Sequence, residues 1–235
     1  MTFDRDIYFD EVRQKPFGGK LSQEQVDGQN FILAAWEFNP PTDDLRHLAY
    51  CLATTMHETA STMLPIEEYG KGKGQPYGQK DNTTGQTYYG RGFVQLTWRD
   101  NYRKATEQLD LDGANDLEWH AERALDPSIA ANVMFIGMTE GWFRGDKAGK
   151  QTLIRYFDED IDDAYGAREI INGDKHIVPN WSGGVSIGKI IAGYHADFLS
   201  ALQASVIELE AVPEPLTVTI RISAPPGVIV KVEQD

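Results

Sequence analysis

Between Ser22 and Trp36 apolar side chains fall at Val26, Ile32, Leu33 and Trp36, which is helical spacing, and Ser22 with Gln25 three positions later reads as the capping box that opens the helix. Asn39-Pro40-Pro41 ends it. Thr42-Asp43-Asp44 then offers a fresh cap for a second helix, in which Leu45, Leu48, Ala49, Leu52 and Met56 recur at three-and-four spacing. Proline disfavours helical geometry in the residue before it, so this second helix is expected to run to about Leu64, ahead of Pro65. Over residues 69–87 glycine, lysine, proline, asparagine and aspartate replace aliphatic residues, which predicts a long surface loop. Further helices are expected over 101–109, over 128–138 behind an N1-type Pro127, and over 150–157, 161–171 and 187–209.

Residues 1–210 therefore read as a mainly α body. Residues 211–215, Ala-Val-Pro-Glu-Pro, read as a stiff linker. In 216–235, Leu216, Val218, Ile220 and Ile222 alternate with polar residues, and Val228, Val230 and Val232 alternate again after a turn, the pattern of a short C-terminal β-hairpin with one apolar face. A lone hairpin is marginal in water, so that face is expected to dock on the helical body or to mediate self-association with another copy of the chain.

Composition narrows the function classes. Acidic side chains outnumber basic ones 36 to 22, a formal charge of −14, so nucleic acid is repelled at long range and is not an expected partner. Any anionic polymer taken as substrate would need local basic residues to offset that field. Cys51 is the only cysteine, which excludes a disulfide framework and points to folding in a reducing compartment. The first residues lack a basic patch followed by an apolar stretch, and no run of 18 apolar residues occurs, so neither a signal peptide nor a membrane span is expected.

Candidate chemistry gathers in two stretches. The first is His57-Glu58-Thr59, followed by Glu67-Glu68. On a helical wheel Glu58 lies away from the Leu45/Leu48/Leu52/Met56 stripe and shares its face with Cys51, Thr55 and Thr62, so it can look into a cleft while its helix is anchored in the core. Pro65 frees one of the second pair of acids to reach the opposite wall, and two carboxylates across a groove are what acid/base glycoside cleavage requires. The plainer alternative is that all three are solvated surface acids. A zinc protease would need a second histidine four positions after His57, where Ser61 stands, so no metal site is expected; His57 reads as a half-buried histidine. In the second stretch, residues 88–98, two glycines flank Arg91 and the alternation turns Phe93, Gln95 and Thr97 to one side of an extended segment. Gln95, Thr97 and Asn101 would then offer amide and hydroxyl groups to sugar hydroxyls and acetamido groups, although a buried strand with aromatic packing would carry the same text.

Taken together and in order, His57-Glu58-Thr59, Tyr88-Tyr89-Gly90-Arg91-Gly92, Gln95-Leu96-Thr97, Asn101-Tyr102 and Ile170-Ile171-Asn172-Gly173 resemble glycoside hydrolase family 19, the chitinases and related phage and prophage endolysins. The matching pieces span most of residues 45–200. The resemblance implies a lysozyme-like, helical, two-lobed domain with a central cleft. It implies Glu58 as general acid and an acid just downstream as general base, with Glu67 and Glu68 both suitably placed; the Met63-Leu64-Pro65-Ile66 lead-in is similar to endolysin-like relatives and favours Glu68. Thr97 stands where chitinases commonly place serine and would hold the attacking water. Gln95, Asn101 and Asn172 would line sugar subsites, with His57, Tyr89 and Arg91 as further substrate contacts. The arginine that chitinases place in the final helix has no clear match near Lys189-Ile190.

The implied reaction is inverting and uses no metal or organic cofactor. Chitin and the peptidoglycan glycan strand share a β-1,4 N-acetylhexosamine backbone, so the catalytic residues do not choose between them. Lys71, Lys73 and Lys80 on the long loop, with no disulfide scaffold, secretion signal or chitin-binding module, favour peptidoglycan. The expectation is an endolysin-type enzyme made in the cytoplasm and released onto the cell wall by other machinery. The alternatives are a chitinase acting on chitin oligomers and a non-catalytic glycan-binding or phage structural protein.

Overall fold

The computed structural model describes residues 1–207. The linker at 211–215 and the hairpin at 216–235, with the self-association assigned to it, lie outside the described residues. The chain starts with β1 (Thr2–Phe3) and α1 (Arg5–Gln14), whose cap Asp4 accepts the Asp6 and Ile7 amides while Tyr8, Phe9 and Val12 enter the core. In α2 (Gln23–Phe38) the expected capping box is formed in both directions, Gln25 N–H to Ser22 Oγ at 3.2 Å and Ser22 N–H to Gln25 Oε1 at 2.9 Å. The helix α3 (Leu45–Glu58), capped by Asp44, is central: every residue from His47 to Met56 is buried.

That burial corrects the wheel. Cys51 Sγ meets Met138 Sδ at 3.8 Å and Thr55 Oγ1 donates to Met134 Sδ at 3.2 Å, so the face assigned to a cleft is core, and only the last turn reaches open space. The helix also ends at Glu58, well before Leu64. Thr59 Oγ1 donates to Thr55 O at 2.7 Å and accepts the Met63 amide at 3.1 Å, and Ala60, Ser61 and Met63 take positive φ, so a side-chain-stapled turn replaces the next helical turn. Proline at position 65 restrains only its neighbour; the local hydroxyl acts earlier. α2 crosses this turn at Gly28, where a Cβ would lie 1.9 Å from Met63 O, so only glycine admits the approach.

Next, β2 (Ile66–Glu67) pairs antiparallel with β3 (Arg91–Gly92), Ile66 opposite Gly92 and Glu67 opposite Arg91. The intervening residues form the expected loop, with one 3₁₀ turn at Pro76–Gly78. α4 (Arg99–Gln108) and α5 (Pro127–Glu140) follow; α5 starts on Asp126 and Pro127 and ends at left-handed Gly141. A tight hairpin of β4 (Gly145–Asp146) and β5 (Gly149–Lys150) leads to α6 (Leu153–Tyr156), a single turn rather than the helix expected over 150–157.

No α-helix forms over 161–171. The Asp158 carboxylate accepts the Asp160 and Ile161 amides and Asp163 accepts that of Gly166, so aspartates satisfy the backbone locally and only a 3₁₀ turn, Gly166–Ile170, remains. The last helix, α7 (Ile187–Ser205), packs along α3 through Phe157, which stacks on His195 (5.1 Å, 26°) and leans on Tyr50. It stops before Leu209 because β6 (Val206–Ile207) pairs with β1, Thr2 opposite Ile207. The result is the mainly helical, lysozyme-like architecture expected from the motifs. No described helix is long and apolar enough to cross a membrane.

Candidate active site

Glu58 closes α3 at the edge of a cavity of about 410 Å³, also lined by Tyr77, Gln95, Thr97, Trp98, Asn101 and Asn172. Its Oε1 accepts from Nη1 of Arg168, a residue of the Gly166–Ile170 turn that is only 2% exposed. Arg168 in turn donates through Nε and Nη2 to both oxygens of Asp174, at 2.6 and 3.0 Å, and Asn172 Nδ2 reaches Asp174 Oδ2 at 3.1 Å. Burial opposes the Arg168 charge, but its contacts with Asp174 and Glu58 outweigh that and hold it above its ordinary range. A guanidinium buried this deeply stands only because it is paired on both sides. The sequence reading missed Arg168 and Asp174. Its available signal was Arg168 standing in Ala167-Arg168-Glu169-Ile170-Ile171, directly before Asn172-Gly173.

The opposite wall is a backbone device. Gly92 sits at φ 86° where a Cβ would come within 2.9 Å of Ala124 O, and a Cβ on Gly90 would lie 2.8 Å from the Gln95 amide oxygen. These close approaches let the chain fold back so that Leu96 bridges to Arg91, and Gln95 and Trp98 take positive φ. Residues 93–95 are consequently a turn rather than part of an extended segment: Phe93 is fully buried, while Gln95 and Thr97 reach the cavity. Gln95 Nε2 donates to Ile66 O and Gly92 O at 3.1 and 3.2 Å, Thr97 Oγ1 donates to Gln95 O at 2.8 Å, and Asn101 Nδ2 donates to Thr97 O at 2.8 Å. Each polar side chain is thus fixed by the wall itself, leaving the Gln95 and Asn101 amide oxygens and the Thr97 lone pairs for a ligand.

Three expected substrate contacts do not line this cavity. Arg91 is buried with its guanidinium 3.7 Å from the Tyr89 ring centre and its Nη1 on Thr87 O and the Tyr102 hydroxyl, at 2.9 and 3.0 Å. Tyr89 spends its hydroxyl on Glu67 Oε1 at 2.5 Å. Both stand behind the wall and brace it. His57 is half-buried, and burial first, with Arg168 nearby, holds its imidazole below the ordinary value and neutral at pH 7.

The two downstream acids differ in what they touch. Glu67 receives Lys71 Nζ at 2.5 Å and the Tyr89 hydroxyl, which hold its carboxyl below the usual range, and Arg91 Nε stands 3.8 Å away. Lys71 is therefore committed within the protein and drops out of the expected basic patch. The Glu68 backbone pairs with Gly90 O at 2.7 Å, and its carboxylate lies beside the Tyr77 hydroxyl, which burial and then the Glu68 charge push up. Tyr77 lines the cavity, so Glu68 stands at its margin, whereas Glu67 faces away into an ion-pair cluster. Among the described residues no group of three or more His, Cys, Asp or Glu side chains is arranged to hold a metal ion.

Similarity to known proteins accords with this geometry. The chain is 28% identical over 136 residues to Chitinase 5 of Oryza sativa subsp. japonica, covering 53% of the chain and 46% of that protein. It is 36% identical over 107 residues to an endochitinase of Arabidopsis thaliana, covering 44% of the chain and 38% of that protein. The matched part thus spans less than half the length of either relative. In fold it matches chitinase C from Streptomyces griseus HUT6037 with a TM-score of 0.54 and 19% identity over 86% of this chain and 76% of that one. No protein-family model matches the chain. Sequence and fold together uphold the resemblance to family 19.

Proposed function

We propose that the chain hydrolyses β-1,4 bonds of an N-acetylhexosamine polymer by inversion, and that its polymer is the peptidoglycan glycan strand. The observation that carries the hydrolase reading is Glu58 at the margin of a cavity whose other polar groups, Gln95, Thr97, Asn101 and Asn172, suit hydroxyls and acetamido groups. The similarity to chitinases supports the same bond class. With Oε1 turned to Arg168, Glu58 keeps Oε2 free of any hydrogen bond from the described residues, and that oxygen delivers its proton to the glycosidic oxygen as the bond breaks. Thr97 has given its own proton to Gln95 O, so it meets the attacking water as an acceptor. Glu68, whose Oε2 accepts the Gly90 amide at 3.2 Å, takes the water's other proton, because Glu67 is held by the Lys71 ammonium and the Tyr89 hydroxyl, away from the cavity-lining Tyr77 that Glu68 adjoins.

Peptidoglycan is favoured over chitin by Lys73 and Lys80, exposed on the loop that borders the site and without acidic partners among the described residues. In this reading the enzyme acts on the cell wall after release by other machinery. The second reading, a chitinase, draws on the named relatives. Parallel digestion of purified peptidoglycan and graded chitin oligomers, with mass analysis of the products, separates the two. Reducing ends should appear from peptidoglycan and vanish with Glu58→Gln; a wild-type protein that binds both polymers and cleaves neither is a glycan-binding protein instead.

A further inference from the structure

Tyr77 and Trp98 line the cavity beside Glu58 and also a second one. This neighbour, about 280 Å³, is completed by Gln79, Lys80, Asn82 and Arg99, among others. The two aromatic rings meet edge to face at 5.0 Å, and Trp98 holds φ 75° with its amide on Tyr88 O at 2.9 Å, which sets a half-exposed indole between the cavities. A non-glycine residue in that conformation costs backbone strain, and the strain here presents an apolar face to solvent. A flat indole flanked by amides is a surface on which a sugar ring packs while its hydroxyls and acetamido group find partners.

The charges of the second cavity are mostly spent. Arg99 Nε donates to Glu118 Oε1 at 2.8 Å and its Nη1 to Asp81 Oδ2 at 3.0 Å. Asp81 Oδ1 accepts the Thr83 and Thr84 amides at 2.9 and 3.0 Å. Lys80 is different: it is exposed, and no acidic side chain pairs with it among the described residues. In a chain of net charge −14 an anionic ligand gains nothing from the long-range field, so a single unspent ammonium beside a sugar-sized recess sets where a ligand's negative group can settle.

We propose that the cavity beyond Tyr77 and Trp98 is an extended glycan subsite for a sugar that carries a carboxylate substituent, with Lys80 as the counter-ion. The strand would lie across both cavities, its reacting bond beside Glu58 and a lactyl-substituted ring against Trp98. Peptidoglycan strands stripped of their stem peptides carry this carboxylate free on alternate sugars, an attached peptide ties it up as an amide, and chitin carries none, so this cavity tells the peptide-free strand from chitin. The inference rests on the hydrolase reading only in placing one strand across both cavities.

Equilibrium binding tests it in the Glu58→Gln background, where no turnover occurs. Three probes are compared: a muramyl-containing tetrasaccharide with free lactyl carboxylates, the same compound with those carboxylates amidated, and the N-acetylglucosamine tetramer. The carboxylate form should bind more tightly than its amide. Lys80→Gln should weaken the carboxylate form by about three- to fivefold, bringing it level with the amide, as expected for one exposed ion pair, and the difference should shrink at ~0.5 M salt. Equal shifts for all three probes, or none, overturn the subsite. Trp98→Ala should weaken all three, and no change there overturns it as well. A Lys80-dependent preference in a protein that cleaves neither polymer would leave the subsite standing and remove the hydrolase. Cleavage without that preference would do the reverse, and no binding of any probe would remove both.

Discussion

Arg168 offers the sharpest test of how the site is held. Replacing it with methionine keeps an unbranched apolar stem and removes the guanidinium, leaving Glu58 and Asp174 with no cation between them. Losing one partner of a buried ion pair costs roughly 3–5 kcal/mol. Each carboxylate here keeps 16% exposure, against 3% for Arg168, so water relieves part of the penalty and the expected loss is roughly 2–4 kcal/mol. For a chain of this size that corresponds to a fall in Tm of about 5–15 °C. Calorimetry at pH 7 measures it, and a cycle with Glu58→Gln should return a coupling energy of about 1–3 kcal/mol between the two positions. Hydrolysis should fall about a hundredfold, the scale of a misplaced catalytic group. Arg168→Lys should not restore it, because an ammonium cannot span Asp174 and Glu58 as the planar fork does. A Tm within 2 °C of wild type together with unchanged turnover would refute the claim that this arginine organises Glu58.

The two acids on the other side separate cleanly. Glu68→Gln should lower kcat by about a hundredfold or more with little loss of stability, and Glu67→Gln should leave kcat within a few-fold, as steady-state kinetics on one substrate will show. Glu67 has a depressed folded-state pKa, so its contribution to stability is complete above the unfolded carboxyl value and is lost as pH falls through the folded one. Urea midpoints from pH 7 down to pH 3 should therefore drop less steeply for Glu67→Gln than for wild type; parallel curves would count against the Lys71 and Tyr89 contacts. Thr59→Val should cost about 1–3 kcal/mol, because it removes the donor to Thr55 O and leaves the buried Met63 amide without an acceptor, whereas Thr59→Ser should recover most of it.

Helix starts were legible because their chemistry lies within a few residues. Ser22 and Gln25 cap α2, Asp44 caps α3, and Asp126 with Pro127 opens α5, each through contacts no longer than one turn. Helix ends were less so. Apolar spacing continues past Glu58 and through 161–171, but Thr59 in one place and Asp158 and Asp163 in the other bond the backbone in ways periodicity does not register. The same division runs through the site. Glu58, Gln95, Thr97, Asn101 and Asn172 could be picked out because their residue types occur in recognisable strings, and the cavity contains all five. Tyr89 and Arg91 belong to an equally recognisable string but brace the wall from behind: a motif marks what the local fold needs without saying which side chains face the ligand.

What no string carries is pairing across the chain. Glu58 and Arg168 are 110 positions apart and meet only because α3 and the Gly166–Ile170 turn are brought together by the core around Phe157. The guanidinium that reaches Glu58 is supplied by the turn before Asn172 and clamped by Asp174, while the final helix carries no arginine near Lys189. A carboxyl at a cavity edge needs one oxygen fixed if the other is to deliver a proton in a set direction. That requirement is geometric, so any element able to bury a paired arginine beside Glu58 meets it, and the chain position of the arginine is free to differ.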